Sequence, residues 1–566
     1  MKRTPRKTQR YTAWMLMNTI KWNRLEIRDN QAKNIKEILI LNRQINSLSD
    51  KEYFSPEISD LLDPFLLPGM NAAVNRIIKA LDNSERIVIF WDYDVDWVSS
   101  TALLVKFLNE IWAKVSYRLP HRANDGYWLK KHFLDDIKNN DVKLLITVDC
   151  WTRDIDEINY ANELWIDVII TDHHNVPTII PSNLIALINP KLVESKYPNR
   201  WLSWSWVAFK LLHAICFERF WKSKTELFLK KYIDFAMLGT VADCMELKWE
   251  NRTIAYLWLK QIKNSHSAWL KRLIEWEDLS NVDSDIVWFK IWPRLNAAWR
   301  MDTPYKALKV LLASESNLDE AISEIESLNE KRKTSTEKFA QLANRIVDSS
   351  KNVIIFDSPD IWHWVIWLIA WRLAEAHNKL SIVLKDEGEK LVWSARWPEF
   401  IKIVELFETM SSLFDVFWWH DQAAGFTISK ANYPIFKDNI ERLVWDFIFN
   451  VDTTKTLICD TYIDLDQIDF DLLTFIESMQ PFWIWNEKPL FISDKIRFDD
   501  IRYIWKDNKH LKFFKSGNEL EFKAFKFWEY FELLNETKTF SIVFEIERNI
   551  WQSKHSISLN IKDILL

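Results

Sequence analysis

Glycine is nearly missing from this chain. Its 566 residues include 6 glycines, where an average share of about 7% predicts roughly forty. So small a supply excludes glycine-built tight turns, and any other residue in a left-handed backbone position costs roughly 1–2 kcal/mol. Cysteine is also scarce. Cys150, Cys216, Cys244 and Cys459 show no CxxC spacing, which excludes a disulfide framework and argues against a zinc site. No run of about eighteen apolar residues occurs, so no membrane span is expected. The amino-terminal MKRTPRKTQRYTAW is basic without the apolar core of a signal peptide, so a cytoplasmic protein is expected. Positive charge is not in excess either. A net charge of −6 excludes a general polyanion binder, and contact with a polyanion would need a local basic groove and bound cations.

What the chain has instead is tryptophan. The 33 tryptophans and 6 glycines together come to 39, close to the number of glycines an average protein would carry. A codon meaning glycine in the source, UGA foremost, is therefore expected to stand here as tryptophan. A hydrophobic content of 48% supports sizeable cores, although tryptophan inflates it. The length allows three or four domains.

The most informative stretch is Ile87–Ser100. An apolar run of strand length (IVIF) leads into Trp91-Asp92-Tyr93-Asp94-Val95-Asp96-Trp97, and a helical segment follows from Thr101. Carboxylates spaced two apart at a strand end point the same way and repel one another unless cations lie between them. Hard divalent ions, Mg²⁺ or Mn²⁺, suit such oxygen ligands. A second apolar run, Lys143–Val148, ends in Asp149, and a third, Asp167–Thr171, ends in Asp172-His173-His174. A fourth, Phe235–Ala242, ends in Asp243. Four such endings in order point to a ligand site outside the carboxyl ends of an open α/β sheet.

Strands alternate with amphipathic helices from about 85 to 250, the pattern of a doubly wound parallel sheet. Residues 1–80 read as mostly helical and 250–300 as helical. Asn317–Ser350 lacks Gly and Pro and reads as one long connecting helix. A second α/β unit follows, with strands at Asn352–Phe356 and Leu380–Leu384. The tail from about 455 alternates with the period of a small β-barrel, at Phe540–Ile546 and His555–Ile561. The expected domains are therefore 1–80, 81–316, 317–350, 351–454 and 455–566.

The motifs DYDVD, the Asp149 strand end, DHH and GTVAD resemble those of the DHH phosphoesterases, and more narrowly of their RecJ branch of single-strand-specific exonucleases. The resemblance extends to His121-Arg122…Gly126-Tyr127, Arg294–Arg300, Trp362–Ala370, Trp418-Trp419-His420…Gly425 and Gln480–Pro489. It covers the chain from about Leu61 to the C-terminus. Its departures share one form: tryptophan replaces the family's glycine at Trp91, Trp97, Trp128, Trp151, Trp204, Trp206, Trp292, Trp299, Trp364, Trp367, Trp418, Trp419, Trp483 and Trp485. Trp362 and Trp551 fall where the family accommodates tryptophan.

The resemblance implies a DHH domain, a smaller DHH-associated domain and a C-terminal OB-fold barrel. Its motif positions imply two divalent cations, Mn²⁺ or Mg²⁺, held by Asp94, Asp96, Asp149, His173 and Asp243, with Asp149 between them. Asp92 and Asp172 fit as further ligands or as groups that orient an imidazole. His174 fits a contact to the scissile phosphate or a general acid toward the leaving oxygen. Relatives often carry a histidine at the position of Phe90, so one ion is expected to have fewer protein ligands here. Arg122, Arg300, Ser394 and Arg396 are implied as a pocket for a terminal 5′-phosphate. The resemblance also implies phosphate contacts from Asn296, Arg372, Trp418, Trp419 and His420. Lys506, Lys509, His510, Lys512 and Lys515 would grip a single strand. The implied enzyme is a monomer that hydrolyses single-stranded DNA from the 5′ end in repair and recombination, beside a helicase and a single-strand-binding protein. Two other readings are a phosphodiesterase of short oligonucleotides or cyclic dinucleotides and an inactive DNA-binding scaffold. The long tail argues against the first, and the intact acid set against the second.

Overall fold

The computed structural model describes residues 19–28, 32, 34–91, 96–118, 130–148, 154–277, 279, 282–397, 403–420, 423–448, 454–505, 508–552 and 554–566. The chain forms two compact units. One joins Met1–Trp292, Leu308–Leu318 and Lys455–Leu566, and the other joins Pro293–Ala307 with Asp319–Thr454.

The first unit is organised on a five-stranded, all-parallel sheet. Its spatial order is Lys114–Arg118, Arg86–Trp91, Val142–Val148, Asp167–Thr171, Ala186–Ile188. The first strand in sequence therefore lies second in space, and the order reverses between Arg86–Trp91 and Val142–Val148. Such a switch point opens a crevice at the carboxyl ends of those two strands. Near-continuous apolar runs explain the burial: Ile87, Val88, Ile89, Phe90 and Trp91 are all buried, as are Leu144, Leu145, Ile146 and Val148. Helices on both faces leave a parallel strand no solvent side.

Two glycines here cannot be replaced without movement. Gly69 opens helix Met70–Asp82 at φ +75, and a Cβ there would lie 2.7 Å from the Leu187 carbonyl oxygen. Gly239 lies where helix Lys222–Ala242 crosses helix Trp204–Arg219, and its Cβ would meet Ser205 Oγ at 1.9 Å. Ser205 and Ser99 share a hydrogen bond of 2.6 Å at the same crossing.

One expectation is corrected. Phe235–Ala242 is the end of the helix Lys222–Ala242, so Asp243 caps a helix rather than ending a strand. An unbroken apolar run has no period from which to tell the two apart, and every residue from Ile233 to Ala242 is buried. The amino-terminal region, read as mostly helical, also carries one short strand. Arg24–Ile27 pairs in parallel with Thr456–Cys459, satisfying the backbone of an otherwise unpaired strand.

The C-terminal part of this unit is an eight-stranded sheet. Its centre is the long antiparallel pair Thr539–Trp551 and Lys554–Leu565. Buried Arg252 fastens it to the helical region by donating to the carbonyls of Tyr53, Met479, Gln480 and Pro481. Asp283 accepts from the Phe482 amide at 2.9 Å.

The second unit carries a five-stranded mixed sheet in the order Phe414–His420, Ala423–Ser429, Lys390–Arg396, Leu380–Asp386, Val353–Asp357. The long helix is present as Leu318–Ile346. Among the described residues, no helix is long and apolar enough to cross a membrane.

Candidate active site

The register of the parallel sheet carries the site. Trp91, Val148, Thr171 and Ile188 are successive Cα partners in one row across four strands. The residues that follow them in sequence are Asp92, Asp149, Asp172 and Asn189. Asp92, Asp94 and Asp149 lie outside the described residues, and Asp96 opens the helix Asp96–Glu110.

Asp172 and His173 are buried, and His174 is exposed. Asp172 Oδ1 accepts from the His173 amide at 2.7 Å and the His174 amide at 3.1 Å, and lies 2.8 Å from His174 Nδ1. That one oxygen therefore shapes the turn and aims the second imidazole. His173 Nδ1 lies 2.7 Å from the Leu202 carbonyl oxygen. A carbonyl only accepts, so Nδ1 holds the proton and Nε2 keeps its lone pair, the tautomer a metal ligand needs. Burial pushes the His173 pKa down to about 3, against the Leu202 carbonyl, so the ring is neutral at physiological pH.

The segment after Leu202 ties in the fifth expected ligand. Ser203 caps helix Trp204–Arg219, and the Trp204 amide donates to Asp243 Oδ2 at 3.4 Å. The Trp204 indole lies against His173 and His174, with centroids 4.4 and 5.6 Å away. Asn189, which the sequence reading missed, donates to the His174 carbonyl at 3.0 Å. Its only signal was its place after a short apolar run. Phe90 is hydrocarbon core, edge-on to Phe133 at 5.8 Å, and supplies no ligand. Among the described residues no three potential ligands form a cluster. The donor chemistry nonetheless fits a divalent ion: a neutral imidazole with a bare Nε2, joined through Trp204 to a carboxylate.

The second unit concentrates cations. Buried Arg300 lies 4.2 Å from the Trp367 ring and 4.5 Å from the Trp299 ring, and Arg396 lies 5.6 Å from Trp367. Burial lowers the Arg396 guanidinium to about 10. Asn296, also buried, accepts from Trp299 Nε1 at 3.3 Å. Ser394, two residues before Arg396 on one strand, has a buried hydroxyl with no partner among the described residues. Register places Ser394, Gly425 and Trp418 in one row and Arg396, Ala423 and His420 in another, with Trp419 between. Arg372 is elsewhere engaged, paired at the surface with Glu337 at 2.7 Å. Arg122 lies outside the described residues.

In the C-terminal sheet Arg502, Lys512 and Lys523 form a row across three strands. Like charges in direct opposition destabilise a sheet, and Asp500 and Glu521 offset this only in part. Arg502 and Lys523 were missed because cross-strand neighbours are far apart in sequence. His510 Nδ1 accepts from the Lys526 amide at 3.0 Å, and Lys509 is exposed. Lys506 lies outside the described residues.

Residues 86–240 match the DHH family, N-terminal domain, and residues 459–563 the RecJ OB domain. The chain is 28% identical over 97% of its length to the single-stranded-DNA-specific exonuclease RecJ of Bacillus subtilis, covering 71% of that protein. Its fold matches the crystal structure of Thermus thermophilus RecJ in complex with Mn²⁺, with a TM-score of 0.78 and 24% identity, covering 94% of this chain and 76% of that one. A crystal structure of exonuclease RecJ bound to manganese matches with a TM-score of 0.59 and 27% identity, over 70% of this chain and 99% of that one. The chain thus carries a match to the DHH family N-terminal domain and a match to the RecJ OB domain, and it is similar to RecJ exonucleases along almost its whole length.

Proposed function

We propose that this protein is a divalent-cation-dependent exonuclease that hydrolyses single-stranded DNA in the 5′→3′ direction, releasing 5′-mononucleotides in repair and recombination. The observation that carries the reading is the His173 imidazole, buried and neutral, with Nδ1 tied to a carbonyl and Nε2 left for a ligand at the row of strand ends. Asp94, Asp96, Asp149, His173 and Asp243 hold the cations, Mn²⁺ or Mg²⁺, which occur in solved RecJ relatives. Such cations neutralise non-bridging phosphate oxygens and make water acidic enough to attack at neutral pH.

The chain's own groups do the rest. Asp172 holds His174 with Nδ1 toward the carboxylate, leaving Nε2 to carry a proton to the leaving oxygen. Arg300, Arg396 and Ser394 receive a terminal 5′-phosphate, and an anchored terminus gives an exonuclease its polarity. Arg502, Lys512 and Lys523 track the strand backbone. A dinucleotide phosphodiesterase would have no use for that last row.

The test is digestion of long single strands labelled at either end, with a 5′-phosphate or a 5′-hydroxyl, with Mn²⁺ present. Release of labelled mononucleotide from the 5′ end first, favoured by the phosphate, is expected. Cleavage from the 3′ end, or of dinucleotides alone, would refute the proposal.

A further inference from the structure

Among the described residues, fifteen non-glycine residues have positive φ, and six are tryptophan: Trp22, Trp112, Trp165, Trp249, Trp485 and Trp505. Tryptophan has no affinity for this backbone region. Glycine enters it freely, and short polar residues such as Asn and Asp do so occasionally.

The local hydrogen bonds show what these positions are. After helix Asp96–Glu110, the Trp112 amide donates to the Asn109 carbonyl and the Ala113 amide to Leu108. After helix Ile155–Glu163, the Trp165 amide donates to Asn162 and the Ile166 amide to Ala161. This pair of bonds is the Schellman helix end, whose left-handed residue is usually glycine. Gln44 and Ser84 close two other helices in the same way, so a side chain is tolerated there, at a cost. Trp485 is the third residue of a four-residue turn closed by reciprocal bonds between Trp483 and Asn486. Its φ of +76 is that of the glycine position in a type II turn.

Three of these indoles gain little by packing. Trp112 is 93% exposed, Trp165 83% and Trp22 77%. In the interior the failure is the opposite one. The indole N–H groups of Trp91, Trp206, Trp269, Trp367, Trp393 and Trp483 are buried without a hydrogen-bond acceptor among the described residues, although buried donors almost always find one.

We infer that the tryptophans at the left-handed positions Trp22, Trp112, Trp165, Trp249, Trp485 and Trp505 are glycines in the protein as the source cell makes it, through a codon decoded there as glycine. This stands independently of the nuclease reading. The same exchange at Trp204 and Trp367 would uncover the His173–His174 pair and clear the face between Arg300 and Arg396.

Two measurements decide it. Peptide sequencing by mass spectrometry of the protein purified from source cells is expected to read glycine at these positions, and tryptophan there would overturn the inference. Separately, the full chain carrying Trp22→Gly, Trp112→Gly, Trp165→Gly, Trp485→Gly and Trp505→Gly should melt roughly 10 °C above the chain with tryptophan. An unchanged or lower Tm would overturn the steric argument.

Discussion

The end of the parallel sheet and the mixed sheet of the second unit handle charge in opposite ways. The first sets Asp172 beside two imidazoles: Asp172 shapes its own turn, and His173 is kept uncharged by burial. The second gathers guanidiniums, with Arg300 and Arg396 set against the Trp367 ring. On the proposed function the first would be completed by cations and the second by an anion. The difference teaches how a chain of net charge −6 can act on a polyanion. On the proposed function, cations would cancel the acids locally, and arginines held in a low-dielectric setting would provide a specific anchor.

The contrast is broken most severely by removing the acid side. Asp149→Ala or Asp96→Ala should lower kcat by about 10³-fold or more, and chelation should abolish activity until Mn²⁺ is restored. Undiminished turnover by either variant would refute the ligand assignment. Asp172→Asn should lower activity by about 10–100-fold while His173 stays in place. On the basic side, Arg300→Ala and Arg396→Ala should each raise KM for 5′-phosphorylated strands by about 10-fold or more, with little change for 5′-hydroxyl strands. Equal losses on both substrates would dissolve the phosphate pocket.

Smaller again is the C-terminal row. Lys512→Ala or Lys523→Ala should reduce the salt dependence of strand binding by about 0.7 per contact, read from the slope of log affinity against log salt. The smallest effect on activity is expected at Asp283, whose carboxylate accepts from the Phe482 amide. Burial raises its carboxyl to about 7, above the ordinary value of about 3.9 in an unfolded chain. Its contribution to stability is therefore full below about 3.9 and is lost as pH rises through about 7. Asp283→Asn should flatten that fall in Tm without altering turnover, which separates loss of fold from loss of chemistry.

The runs Arg86–Trp91, Val142–Val148 and Asp167–Thr171 were legible because a buried parallel strand is apolar throughout and stops where the sequence turns polar. The same uniformity misled at Phe235–Ala242, where a buried helix is also apolar throughout. Asn189 and the Leu202 carbonyl were illegible, since a backbone acceptor leaves no mark on the sequence. Arg502 and Lys523 were hidden for a related reason: their closeness to Lys512 is a matter of strand register.

By itself the sequence determined the residue types that can do the chemistry and the strand ends that carry them, because acids and imidazoles at the close of apolar runs are local features. It also carried the imbalance between tryptophan and glycine. Tertiary structure alone decided the strand order that aligns those ends in one row, the proton on His173 Nδ1, the helix end that bears Asp243 and the pairing of Arg300 with Trp367. Each depends on groups distant along the chain meeting in space, and only the burial of a common core brings them together.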